Sequence, residues 1–286
     1  MNGGSTRSFT ATVVAVVEGS AGDAAADTLA CLSKISGVRP VIVSLGDVRE
    51  APRREQDGAI LIDGLVPRYL NNAVAALRLS SLPTFAWWRA GDPPALQDLA
   101  SLVDRVVMDR EEPSAGWALV PGIAQLASVS DMRWARLTRW RDLIAQFFDL
   151  PELRETPGAF ERIEIVGTDP HGARLLGGWL KARLPGGERL AVSIDSGGGT
   201  RLRSVRIAGA GGSVSVRLLE NGRCLETRAD IQTGQASRRV VALGDQGLAS
   251  LLREELRVRS RDLAFEAAVR EAGQLTTLTN EEGSRD

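Results

Sequence analysis

The alternation of apolar and polar positions divides this chain into a strand–helix half and a strand-rich half. Residues 10–17 are rich in β-branched side chains and predict a strand, and the polar stretch from Glu18 to Asp23 predicts a turn. Residues 24–36 place Ala26, Leu29, Ala30 and Leu32 on one helical face, Gly37 ends that helix, and residues 38–45 predict a second strand. A strand–helix–strand unit of this length implies parallel pairing through a right-handed crossover. The polar segment 46–58, with Arg49, Arg53 and Arg54, predicts a loop or exposed edge. Residues 59–63 are short and apolar, and Pro67 opens a helix running to about 79 with Leu70, Ala73, Val74 and Leu77 inward. An aromatic-rich strand at 84–88, a helix at 95–102, a strand at 105–109 and a helix at 115–127 continue the alternation. This half therefore predicts an α/β domain with a mostly parallel sheet.

The clearest helical pattern covers residues 130–149. At about 100° per residue, Trp134, Leu137, Trp140, Leu143, Ile144, Phe147 and Phe148 share one half of the cylinder. Thr138, Arg139, Asp142, Gln146 and Asp149 share the other. Ser128 or Ser130 is the expected cap, with Asp131 in the first turn and Pro151 as the stop. Arg141 falls among the apolar residues, so it must snorkel, pair with an acid or meet a partner.

Pro151 and Pro157 mark a boundary, dividing the chain into domains at 1–150 and 158–286. The second opens with a strand at 162–166 and a helix begun by Asp169-Pro170. Strand-type segments follow at 189–195, 201–208, 213–219, 223–229 and 238–243, joined by glycine turns at 196–199 and 209–212 and by Asn221-Gly222. Asn-Gly between two such runs is a hairpin signal. Helices at 246–257 and 261–272 complete an α+β domain with an antiparallel meander, and residues 1–8 and 273–286 are expected to be frayed.

Composition narrows the function classes. With 35 basic and 36 acidic side chains the net charge is −1, so neither nucleic acid nor an anionic membrane is an expected partner. The two cysteines, Cys31 and Cys224, fall in different halves, which excludes a disulfide framework and a cysteine zinc site within one chain. The expectation is a cytoplasmic protein with reduced thiols, no signal peptide and no membrane span.

Little in the chain suggests catalysis. His171, the one histidine, sits at a helix start and reads as a capping or surface residue. Gly19-Ser20-Ala21-Gly22 lies where a dinucleotide-binding turn would lie, but it is not G-x-G-x-x-G, and Glu18 and Asp23 flank it with negative charge. It reads as a plain turn. Asp104, Asp109, Glu111 and Glu112 form an acidic cluster that reads as a solvated strand end. No catalytic residue, cofactor or metal ligand set is expected. The remaining signal is aromatic and cationic. Trp87 and Trp88 on one strand point to opposite faces, and Trp134 and Trp140 lie among Arg133, Arg136, Arg139 and Arg141. Tryptophan and arginine are the enriched anchors of interfaces, although core packing is the commoner use of tryptophan. Trp87, Trp88, Trp134, Arg136, Arg139, Trp140 and Arg141 are therefore the candidate partner interface or its frame.

Two stretches carry a family resemblance. Pro83-Thr84-Phe85-Ala86-Trp87-Trp88, followed by Gly91-Asp92-Pro93-Pro94, and the run from Asp131 through Trp134, Arg136-Leu137-Thr138 and Trp140-Arg141 resemble the OpcA family, the glucose-6-phosphate dehydrogenase assembly proteins of cyanobacteria and actinobacteria. The likeness is specific over roughly residues 60–150. It implies a non-catalytic allosteric activator that binds glucose-6-phosphate dehydrogenase in the oxidative pentose phosphate pathway and carries no cofactor. The alternative is a sugar-phosphate or nucleotide sensor or enzyme using the turn at Gly19 to Gly22.

Overall fold

In the computed structural model, which describes residues 9–19, 21–150, 153, 160–167, 169–195, 201–232 and 236–275, the first apolar run is strand β1 (Ala11–Glu18), buried until its last residue. It is the central strand of a sheet ordered β3-β4-β2-β1-β5-β6-β7. Here β2 is Val38–Val48, β3 Arg53–Gln56, β4 Ala59–Leu65, β5 Thr84–Trp88, β6 Arg105–Met108 and β7 Ser128–Asp131. All neighbours pair in parallel except β3, which is antiparallel to β4. Parallel strands covered on both sides must be apolar throughout, which explains the unbroken run in β1. β3 is the exposed edge, and its sequence Arg53-Arg54-Glu55-Gln56 blunts that edge with charge.

One face of the sheet presents Val13, Ala15, Val17, Ile42, Phe85, Trp87 and Val107 to Ala25, Leu29 and Leu32 of helix α1 (Ala21–Ser36). By alternation Val14, Val16, Ala86 and Trp88 point to the other face and are equally buried. Helices α2 (Leu70–Leu77), α3 (Pro93–Ala100) and α4 (Ser114–Ile123) connect the later strands. α3 is capped by Asp92, whose Oδ1 accepts from the Ala95 N–H at 2.9 Å, with Pro93 in its first turn.

The expected single helix at 130–149 is instead a strand and two helices. Ser128–Asp131 becomes β7 because it completes the parallel ladder beside β6, where its four residues are buried. Ser128 and Ser130 are thus ladder residues and not caps. Asp131 takes the capping role: its Oδ1 accepts from the Arg133 N–H at 2.8 Å as α5 (Met132–Arg136) begins. The chain breaks at Leu137 and resumes as α6 (Thr138–Phe147), which buries Trp140, Leu143, Ile144 and Phe147 as its period requires.

The chain divides into two units, residues 1–135 with 247–262 and residues 136–246 with 263–286. The proline-marked boundary falls mainly on residues outside the described ones. In the second unit, β8 (Arg162–Gly167), helix α7 (Pro170–Arg183) and β9 (Ala191–Asp195) form a parallel strand–helix–strand unit. The antiparallel strands are β10 (Leu202–Gly209), β11 (Gly212–Leu218), β12 (Cys224–Ile231) and β13 (Ser237–Ala242), in the sheet order β13-β12-β11-β10-β8-β9. The expected meander is therefore present in β10 to β13, while β9 joins the other end of the sheet in parallel. Asn221 shapes the hairpin between β11 and β12 by accepting from the Arg223 and Cys224 N–H groups. The turn expected at 196–199 lies outside the described residues. The two C-terminal helices belong to different units: α8 (Leu248–Glu255) packs Leu251 and Leu252 into the core of the first, and α9 (Leu263–Ala272) packs against α7 in the second. At that second contact a Cβ on Gly178 would stand 2.3 Å from the Ala268 carbonyl oxygen, so only glycine allows the approach. Among the described residues no helix is long and apolar enough to cross a membrane.

Candidate functional site

The parallel strands of the first unit run in the order β4-β2-β1-β5-β6-β7, which reverses direction at β1. In doubly wound sheets ligands bind outside the carboxyl ends of the strands, at the point where the order reverses. Here that point lies between β1 and β5, and it brings together the turn after Glu18, the residues after Trp88, and the ends of β6 and β7.

The chain's own side chains occupy this edge. Trp87 donates its indole N–H to Asp109 Oδ2 at 3.1 Å. Arg89 approaches the same oxygen at 3.2 Å and lays its guanidinium 4.9 Å from the Trp87 ring centre. Asp109 therefore anchors one aromatic and one cation at the end of β6. The backbone extends the frame beyond the strands, with Arg89 N–H donating to Val16 O and Asp109 N–H to Trp88 O. Trp88, on the opposite face, fits its ring against Gly91, where an added Cβ would stand 2.6 Å from two ring carbons. Gly91 also holds φ at +107°, so both the conformation and the space require glycine.

A second carboxylate lies at the end of β7. Asp131 is fully buried, accepts from the Trp117 indole at 3.0 Å, and has Arg133 Nη1 at 3.7 Å from Oδ1. Burial raises its pKa to about 6, against the lowering effects of Arg133 and the two hydrogen bonds; nearby Asp109 adds to the rise. Arg133 also donates to the carbonyls of Arg110 and Glu111 at 2.7 and 2.8 Å, and Arg110 donates to the Gly91 carbonyl. Two aspartates, three arginines and two indoles thus tie the ends of β5, β6 and β7 together. A third buried set lies on the same sheet: Arg105 donates to Ser128 and Glu255, and Ser130 donates to the same glutamate oxygen.

Of the turn expected at Gly19 to Gly22, Ala21 and Gly22 instead open α1, and neither Gly19 nor Gly22 builds a phosphate cradle. A Cβ on Gly22 would make only ordinary contact, 3.9 Å from Val17, and one on Gly19 would meet open space. Asp23 already places a carboxylate in the first turn of α1, where a phosphate would need the positive helix end.

The candidates named from sequence divide by burial. Trp87, Trp88, Trp134 and Trp140 are all buried, with Trp134 donating its indole N–H to Asp262 at 2.7 Å. All four therefore pack inside the protein and present no ring to solvent. Arg136, Arg139 and Arg141 are half-buried; Arg139 donates to the Ala242 carbonyl at 3.2 Å and Arg141 to Thr138 Oγ1 at 3.2 Å. Arg136 has no hydrogen bond or ion pair among the described residues. In the acidic cluster, Glu111 and Glu112 are exposed, but Asp104 accepts from the Thr84 N–H and Asp109 holds the Trp87–Arg89 pair. His171 is half-buried in the first turn of α7. Sequence reasoning passes over Arg105, Asp131, Arg133 and Glu255 as site residues. For Asp131 the available signal is its place at the end of a short β-type run, Ser128-Val129-Ser130.

Residues 127–269 match a family described as the C-terminal domain of the glucose-6-phosphate dehydrogenase subunit. A relative named OxPP cycle protein OpcA, from Nostoc punctiforme, is 24% identical over 258 residues, covering 74% of this chain and 55% of that protein. The chain thus spans about half the length of this curated relative. Among solved structures, an oxidoreductase domain protein from Kribbella flavida aligns with a TM-score of 0.54 at 10% identity, covering 92% of this chain and 95% of that one. A super-repressor mutant of Gal80p from Saccharomyces cerevisiae aligns with a TM-score of 0.53 at 9% identity, covering 93% and 94%. At these identities the likeness is one of fold alone, and the same fold is found under the names of an oxidoreductase and a repressor.

Proposed function

The chain belongs to the OpcA family, and on that premise we propose that it is a non-catalytic assembly factor and allosteric activator of glucose-6-phosphate dehydrogenase, acting in the oxidative pentose phosphate pathway by protein–protein binding. The observation that carries this reading is the match of residues 127–269 to a family described by its link to that dehydrogenase. The carboxyl edge of the sheet supports it. Asp109 accepts from the Trp87 indole and pairs with Arg89 there, and Glu18 and Asp23 place negative charge beside it, which opposes a pyrophosphate. Activation requires the chain to bind one state of the enzyme better than another, since equal binding shifts nothing. Arg136, Arg139 and Arg141 are the proposed polar contacts, and the buried tryptophans hold the helices that carry them. Mixing the pure chain with the dehydrogenase of the same organism should give a complex of higher mass and a change in sugar-phosphate kinetics. Separate elution with unchanged activity would refute the proposal.

A second reading, a nucleotide or sugar-phosphate binder at Gly19 to Gly22, is favoured by one observation: the strand order puts this turn at the switch point. Calorimetry of the isolated chain with NADP or glucose 6-phosphate separates the two. Saturable binding abolished by Gly22→Val favours the second, and flat titrations remove it.

A further inference from the structure

The amino edge of the first unit's sheet, opposite the edge described above, holds a cavity of about 240 Å³. One wall is apolar, made by Phe85, Leu256 and Ile35, the last of them 54% exposed. Its charged lining is Arg253, Arg257 and Arg259, and among the described residues no carboxylate lines it. Among the described residues none of the three guanidiniums has an ion pair or hydrogen bond. The buried acid of the same helix, Glu255, is already taken by Arg105 and Ser130. Arg253 carries the sharper observation: its Nε is shielded from water and has no hydrogen-bond partner. A donor left in that state is unfavourable until an acceptor reaches it.

A structural duty at the end of α1 does not account for these cations. The carbonyls of Ser36 and Gly37 are already met by Thr10, through its hydroxyl at 2.7 Å and its N–H at 2.9 Å. Three guanidiniums around one cavity fit a tetrahedral oxyanion, which accepts the planar N–H forks in pairs. The size limits the ligand. The cavity equals on the order of eight water volumes and lies below the usual range for drug-sized ligands. It can hold a phosphoryl group with a few carbons, not a dinucleotide. We propose that this cavity binds a small organic phosphomonoester, with its phosphoryl oxygens on Arg253, Arg257 and Arg259 and its carbon portion against Phe85, Leu256 and Ile35.

The test is calorimetry of the isolated full chain at low ionic strength, with glycerol 3-phosphate as the probe and inorganic phosphate as the comparison. It needs no dehydrogenase, so its outcome is independent of the partner proposal. Saturable one-to-one binding of the ester is expected, with inorganic phosphate weaker. The Arg257→Ala/Arg259→Ala variant alters two exposed positions and should keep its unfolding midpoint while losing about tenfold or more in affinity. Ile35→Ser should weaken the ester and leave inorganic phosphate unchanged. No saturable binding of the ester up to about 10 mM, a range covering the weak millimolar regime, would overturn the proposal. So would undiminished affinity in the double variant. Inorganic phosphate binding as tightly as the ester would overturn the assignment of the carbon wall.

Discussion

At the scale of single residues, the buried carboxyl of Asp131 ties stability to pH. Its pKa in the folded state is raised to about 6 from an ordinary 3.8, chiefly by burial, so the folded state holds its proton more tightly than the unfolded state does. The associated stability is therefore fully present below about pH 3.8 and is lost as pH rises through about 6. The shift corresponds to about 3 kcal/mol. Denaturant unfolding between about pH 4 and pH 7 should show this decline, and Asp131→Asn should flatten it; parallel profiles would refute the assignment. Gly91 supplies a second residue-scale prediction. Gly91→Ala forces both a positive φ and a contact with the Trp88 ring, and should cost about 2 kcal/mol or more in denaturant unfolding. The sequence marked Gly91 within a turn, and the Trp-Trp pair before it, but not that the two are in contact. Trp88 reaches Gly91 only because β5 ends where the chain turns back over it.

At the scale of elements, the informative cases are β7 and α8. A helical period of 3.6 predicted α6 correctly because Trp140, Leu143, Ile144 and Phe147 face a core within one continuous segment. The same reasoning carried the helix too far back, over Ser130 and Asp131, because so short a run does not distinguish a strand from a helix by period alone. The strand beside it decides the matter. α8 is held to the first unit by Leu251, Leu252 and the buried Arg105–Glu255 pair. Removing one member of such a pair leaves an uncompensated charge, so Glu255→Ala should destabilise by about 3–5 kcal/mol. Replacing both with methionine should restore much of that loss. Thermal or denaturant unfolding of these two variants against the wild type checks this, and a loss in the double variant as large as in Glu255→Ala would refute it.

At the scale of the whole molecule, the proposed activity requires separating residues that maintain the fold from residues that touch a partner. Trp140→Ala empties a buried site in α6 and should cost about 3–5 kcal/mol. Arg139→Ala gives up one exposed contact to the Ala242 carbonyl and should change stability by about 0.5 kcal/mol or less. If Arg139 is a partner contact, its variant retains the wild-type unfolding midpoint and loses activation of the dehydrogenase; unchanged activation would remove it from the interface. By itself the sequence determined the alternation of strands and helices in the first half, the antiparallel run β10 to β13, the polar, exposed character of the segment that holds β3, and the family markers. Each depends on local periodicity, turn chemistry or residue identity, which covalent geometry imposes within a few residues. Only the tertiary structure decided that Ser128–Asp131 is a strand, that residues 247–262 return to the first unit, and that Asp109 and Asp131 are partners of buried indoles. Those outcomes depend on which distant segments share a desolvated space. Arg105 and Glu255, 150 residues apart, can be matched only once the sheet and α8 have closed around them.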